Sequence, residues 1–195
     1  MKTTIKNLIL SAVLVVGGAS CVDLDTAPYD RETDLTYWEE DPEAACYTYL
    51  GNMDEQLYCE AMTDNAYTKQ PNDATQNIGN GSYSTADPYV KKVWDGRYTG
   101  IRMCNELLEN IDRVPDLDPE LKKRYIGEAK VLRAYNYYEL YTKFGDVPYT
   151  TKVLSIKESM SIARTAKATV IANVLADLDE VINGNYLPTS YDADN

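Results

Sequence analysis

Histidine is absent from all 195 residues, so the chain lacks the commonest general base and the commonest transition-metal ligand. It also has no Ser–His pairing, no glycine-rich phosphate loop and no Cys-x-x-Cys metal motif. Glu128 in Gly-Glu-Ala and Asp146 in Gly-Asp-Val are the residue types that glycoside hydrolases pair. With 31 acids in the chain, two near one another in type prove little, and both are read as structural. Asp73, Asp192 and Asp194 are calcium-ligand types, yet no loop follows the EF-hand spacing. No metal and no cofactor are expected, and the chain reads as a binding protein rather than an enzyme.

Recognition is the chemistry that remains. Residues 60–86 read EAMTDNAYTKQPNDATQNIGNGSYSTA, rich in Asn, Asp, Thr, Gln and Gly and without helical period. A polar loop of about 27 residues is long for a compact domain, and such loops on rigid supports concentrate binding residues. Tyr67 and Tyr83 supply aromatic faces for the apolar side of a ligand. Asp64, Asn65, Asn72, Asp73, Gln76 and Asn77 supply carboxylate and amide forks for its polar groups. These eight are the expected ligand contacts. The chain has 17 tyrosines against one phenylalanine; those on helical stripes are assigned to packing, and only those in loops to a ligand.

Helices must position this loop. Asp118-Pro119 is an N-cap followed by proline at the first helical position. Leu121, Tyr125, Ala129, Leu132 and Tyr135 mark one buried face behind it; Ile126, Ala129, Tyr137, Leu140 and Phe144 mark a second. Two faces predict a central helix, closed by Gly145 and blocked by Pro148. Arg133 lies in the covered register and needs a carboxylate, either Glu128 or one on a neighbouring helix. Glu120–Arg124 and Glu139–Lys143 have the spacing of one-turn ion pairs. Asp87-Pro88 opens a helix with a stripe of Val90, Trp94, Tyr98, Ile101, Cys104, Leu108 and Ile111. Gly96 and Gly100 inside it predict close helix approach. The short link Arg113–Leu117 predicts an antiparallel hairpin of these two helices. Asp41-Pro42 opens an earlier helix, with Cys46, Leu50, Met53 and Leu57 buried and its end near Tyr58. A last helix is expected after Thr165 as N-cap, with Ile171, Val174, Leu175, Leu178, Val181 and Ile182 inside and Gly184 at its end. Thr150–Leu154 reads as an extended run or short strand. Cys46 and Cys59 stand roughly 20 Å apart along one helix and cannot bridge each other; either could meet Cys104, but nothing in the sequence requires it, and all three are expected as buried free thiols.

The run GEAKVLRAYNYYELYTKFGDVPY, residues 127–149, resembles the most recognisable segment of SusD/RagB-type proteins. These are outer-membrane lipoproteins of Bacteroidetes that capture glycans, or in some cases peptides, beside a TonB-dependent transporter. Trp94, Tyr98, Ile101 and Asn105 resemble the family's Trp…Tyr…Ile…Asn helix. Arg164, Asp177-Leu178 and Leu187-Pro188 resemble its later pattern. The resemblance implies an all-α fold of antiparallel, tetratricopeptide-like helix pairs with long irregular loops. It implies structural roles for Trp94, Asn105, Glu128, Arg133, Gly145 and Asp146, with Trp94 in the core rather than a sugar platform. It places a ligand-contacting loop between the first two long helices. It also implies a SusC-like transporter and an oligosaccharide as partners.

The beginning of the chain fits that picture. Lys2 and Lys6 precede an apolar run Leu8–Val16, too short to span a bilayer. Gly17-Gly18-Ala19-Ser20 before Cys21 resembles a lipoprotein signal, with Cys21 as the acylated N-terminus. Residues 1–20 are thus expected as signal peptide and 21–41 as an acylated tether. Residues 42–195 are expected as the N-terminal helical part of a SusD-like domain, truncated relative to the family. Removing the leader takes two lysines and no acid, moving the formal charge from −12 to −14 (17 basic against 31 acidic). So acidic a protein does not seek nucleic acid or anionic lipid; membrane attachment would come from the acyl chains. Two functions are carried forward. One is a surface glycan-binding lipoprotein that delivers ligand to the transporter. The alternative is a helical adaptor that binds only a partner protein, or a peptide-binding RagB-like protein.

Overall fold

The computed structural model describes residues 44–51, 58–69 and 74–190, all within the unit Trp38–Asn195. Cys21, Asn72 and Asp73, the expected signal peptide and tether, and Asp192 and Asp194 lie outside the described residues.

The described helices are α1 (Ala44–Tyr47), α2 (Ala74–Gly79), α3 (Pro88–Asn110), α4 (Pro119–Phe144), α5 (Ile156–Ser159) and α6 (Lys167–Asn183); Ile111–Arg113 adds a 3-10 turn. The architecture is all-α. Helix α4 starts as its sequence dictates: the Asp118 carboxylate accepts from the Glu120 and Leu121 amides, and Pro119 follows. At its far end Gly145 takes φ +71, a conformation that glycine adopts without strain. Between these ends α4 is covered on both sides, by α3 and by α6. Both neighbours run antiparallel to it. Across α3–α4, Trp94 meets Phe144, Arg97 meets Glu139 and Asn105 meets Arg133. Across α4–α6, Lys167 meets Tyr141, Asp177 meets Arg133 and Glu180 meets Lys130.

Ile101, Ala134, Tyr137, Leu140, Val147, Val170 and Val174 form the core between these three helices. Gly100 sets the α3–α4 approach, for a Cβ there would stand 2.8 Å from the Asn136 side chain. Gly96 has open space instead, so close approach explains only one of the two glycines. Arg133 is 4% exposed. Its partner is Asp177 on α6, at 2.7 Å from Nη2 and 3.2 Å from Nε; Nη1 donates to Asn105 on α3 at 2.9 Å. Glu128 pairs instead with Arg124, at 2.8 Å, and Lys143 pairs with Glu139 as its spacing predicts. Asn105 in turn donates to the Lys152 carbonyl at 3.2 Å. One polar network therefore ties three helices to the segment after α4.

Several expectations fail here for physical reasons. The 60–86 stretch is not a structureless loop. Residues 58–60 are helical, α2 forms within the stretch, and Gly79 lies against the backbone of Ala61 and Met62. The first helix is shorter in its described part: α1 ends at Tyr47, and Leu50 in the following turn is exposed. Thr165 does not cap α6. Its backbone pairs with Val147 in an isolated bridge, and Ala166 is the N-cap residue without a side-chain bond. The cap comes from Asp146, whose carboxylate accepts from the Lys167 amide at 2.8 Å. Leu175 and Ile182 are 55% and 68% exposed, because α6 meets α4 through Val170, Val174 and Val181. Gly184 does end the helix, as its C-cap and with negative φ; the left-handed residue is Asn185. Residues 150–154 hold no strand, and the backbone bends at Thr151 and Lys152. Cys46 and Cys104 are buried free thiols, while Cys59 is half-buried, 3.8 Å from the Tyr89 hydroxyl.

Candidate functional site

The motif Phe144-Gly145-Asp146-Val147-Pro148 turns the chain sharply at the end of α4, and each residue has a mechanical task. Gly145 makes the turn, Asp146 caps α6, and Val147 is fully buried and bridged to Thr165. The Asp146 carbonyl accepts from Arg164 Nη1 at 2.7 Å. That bond holds the Arg164 guanidinium over the Trp94 ring, 5.5 Å from its centroid. Trp94 is braced by Phe144 in edge-to-face contact at 5.1 Å and by Tyr98 at 4.9 Å.

Two concavities meet at Trp94. The larger, about 790 Å³, lies between α3, the end of α4 and the 60–86 stretch. It is lined by Met62, Ile78, Tyr83, Tyr89, Trp94 and Phe144, with Lys91, Lys143 and Arg164 among its polar groups. That size falls within the roughly 300–1,000 Å³ of small-ligand sites. The smaller, about 330 Å³, lies between α3 and the 148–162 segment, with Ile101, Leu154, Ile156 and Ile162 in its wall. Its carbonyls are already occupied. Tyr98 donates to the Pro148 carbonyl, and the Tyr137 hydroxyl exchanges bonds with the Thr150 amide and carbonyl, each at 2.8 Å. Burial pushes both phenols well above the usual tyrosine range, so they stay neutral and act as struts. The larger groove has aromatic walls and three cationic side chains, Lys91, Lys143 and Arg164, in its lining.

The expected ligand residues spread unevenly around it. Tyr83 lines the groove and is half exposed. Asp64, Asn65 and Tyr67 are exposed, Tyr67 at 80%. Gln76 turns inward and donates to the Thr68 carbonyl, and Asn77 is half-buried on α2, so both help fold the stretch. Trp94 is half-buried; it packs on the core and also forms groove wall. Sequence reasoning missed Tyr89, Lys91, Lys143 and Arg164 as groove residues. They come from three separate segments, and no local period links them. Among the described residues no group of His, Cys, Asp and Glu is placed to hold a metal, and no helix is long and apolar enough to cross a membrane.

Comparison with known proteins gives a consistent result. The SusD-like family model described as starch-binding and associating with the outer membrane matches residues 34–193. The SusD-like protein P25 of Formosa agariphila is 27% identical over 193 residues, covering 89% of this chain and 37% of that protein. A crystal structure of a SusD-like protein from Bacteroides fragilis superposes with a TM-score of 0.71 at 26% identity, over 87% of this chain and 34% of that one. A laminarin-binding SusD-like protein gives 0.68 at 27% identity, over 78% and 34%. The chain thus spans little more than a third of the length of the relatives it matches. The helix pairs are of the tetratricopeptide-like type found in those structures. This chain belongs to the SusD-like family.

Proposed function

We propose that this chain is the front portion of a glycan-binding lipoprotein of the outer membrane that passes oligosaccharide to a SusC-like, TonB-dependent transporter. The observation that carries the reading is the aromatic-walled groove set on a SusD-like frame, beside the stretch whose composition suits sugars. Tyr83 and Tyr89 offer ring faces to the apolar side of pyranose rings, with Trp94 behind them in the groove wall. Asp64, Asn65 and Tyr67 are exposed on the same stretch and serve as outer contacts; Asn72 and Asp73 belong to it in sequence. Gln76 and Asn77 shape the stretch that presents them. The laminarin-binding relative supports a glycan as the ligand class. Binding, not bond cleavage, is the proposed activity. Cys21 carries the acyl chains that hold the protein on the outer face of the membrane; two or three chains suffice for stable anchoring.

Two experiments test this. The chain, kept in non-ionic detergent, is run on native gels containing starch, laminarin, pectin or carrageenan; retardation on at least one is expected. Migration unaffected by every polymer would overturn the glycan reading. Cells labelled with a fatty-acid analogue should tag the wild type and not Cys21→Ala, and equal tagging would remove the anchor.

A further inference from the structure

We infer that the ligand of this groove is an acidic glycan, one bearing carboxylate or sulfate groups on its rings; this rests on the reading of the groove as a glycan site. The chain carries a formal charge of −12, with 31 acids against 19 bases. The groove reverses that balance: Lys91, Lys143 and Arg164 line it, and among the described lining residues there is no carboxylate. Two of these cations have acids on their own helices just outside the lining, Lys91 with Asp95 and Lys143 with Glu139. Arg164 has none among the described residues. Its one hydrogen bond goes to the Asp146 carbonyl, and the Asp146 carboxylate is turned to the Lys167 amide. The guanidinium therefore sits over Trp94, exposed and without a carboxylate beside it, with further N–H donors to offer.

This arrangement suits an anion attached to a ring. A planar guanidinium forks onto a carboxylate or sulfate oxygen pair, while Tyr83 offers a face to the sugar that carries it. Arg164 is exposed in the free groove, so a neutral glucan would displace water from its guanidinium without offering a charged partner in return. Asp95 and Glu139, in contact with Lys91 and Lys143, oppose an anion close by, which leaves Arg164 as its principal contact; the other acids of the chain act only at longer range. At about 0.15 M salt the screening length is about 8 Å, so distant acids fade while contacts within the groove persist.

Calorimetric titration of the full chain in detergent tests this with matched probes: hexagalacturonate against the same hexasaccharide with its carboxyl groups reduced, and a carrageenan hexasaccharide against its desulfated form. The expected result is at least tenfold tighter binding of the acidic member of one pair or both, the pair identifying the anion. That ratio should fall toward one in Arg164→Gln and in Lys91→Gln/Lys143→Gln, with unchanged far-ultraviolet circular dichroism. If neutral polymers or reduced hexasaccharides bind as well as the acidic ones, the acidic inference is overturned and the glycan reading stands. A ratio that survives Arg164→Gln and Lys91→Gln/Lys143→Gln would likewise overturn the assignment of the charge to this groove. No binding of any neutral or acidic glycan would overturn both.

Discussion

Replacing Arg133 by methionine should cost the fold at least about 3 kcal/mol. The arginine is 4% exposed and its carboxylate partner sits 2.7 Å away on α6. Removing one member of a buried pair typically costs about 3–5 kcal/mol, because the other charge is left without its partner. The Asp177 side chain is 16% exposed, so water relieves part of that penalty and the lower end applies. Asn105 Oδ1 also loses its donor inside the core, and an unsatisfied buried acceptor costs about 1–3 kcal/mol. With a urea slope of about 1–3 kcal/mol per molar for a domain of this size, the midpoint should fall by at least 1 M. The double variant Arg133→Met/Asp177→Leu removes both charges together. It should be no less stable than Arg133→Met alone, giving a coupling of about 2–3 kcal/mol in a double-mutant cycle. Urea unfolding followed by circular dichroism at 222 nm supplies all four corners. A single variant with the wild-type midpoint, or strictly additive losses, would refute the claim that this pair joins α4 to α6.

Three further outcomes follow from the packing. Gly96→Ala should raise stability by up to about 1 kcal/mol through helix propensity, whereas Gly100→Ala should lower it by about 1–3 kcal/mol, since its methyl would press on buried Asn136; urea midpoints moving the same way for both would contradict the placement. Asp146→Ala should cost about 0.5–2 kcal/mol by uncapping α6, while Asp146→Asn keeps an acceptor and loses less, as thermal melts of the two variants would show. Tyr137 holds its proton more tightly folded than unfolded, because burial raises its hydroxyl above the ordinary value of 10.0. The unfolded chain therefore releases that proton first, and stability should decline above about pH 10 by up to about 1.4 kcal/mol per pH unit from this group. Absorbance at 295 nm should show a late-titrating tyrosine that ionises only as helicity is lost; full ionisation with helicity intact would contradict the burial.

What the sequence made legible is local. Asp87-Pro88 and Asp118-Pro119 opened their helices, Gly145 closed one, and the two stripes of α4 announced a helix covered on both sides. These signals act within one or two turns. The rest depends on partners far along the chain. Asp146 caps a helix 21 residues ahead, which freed Thr165 to bridge Val147 and made the cap invisible to a search for neighbouring Ser, Thr, Asp or Asn. On α6, Val170, Ile171, Val174, Leu175, Leu178, Val181 and Ile182 form a stripe broader than one contact, and period alone does not say which edge meets α4. The groove is less legible still. Composition pointed to the 60–86 stretch and found Tyr83, but Lys143 and Arg164 reach the site from 60 to 80 residues further on. Arg164 is aimed by a carbonyl, and no residue pattern encodes such a contact.

The most direct measurement is the affinity of the full chain, in detergent, for a polysaccharide that retards the wild type, compared between Tyr83→Ala and Tyr138→Ala. Both tyrosines are about half exposed, at 50% and 49%, but only Tyr83 lines the groove. Loss of one stacking ring is worth about 0.5–1.5 kcal/mol beyond its area, so Tyr83→Ala should weaken binding by up to about tenfold. Tyr138→Ala should bind as the wild type does, and both should melt at the wild-type temperature. Equal binding by wild type and Tyr83→Ala, or a loss confined to Tyr138→Ala, would contradict the assignment of the glycan site to this groove.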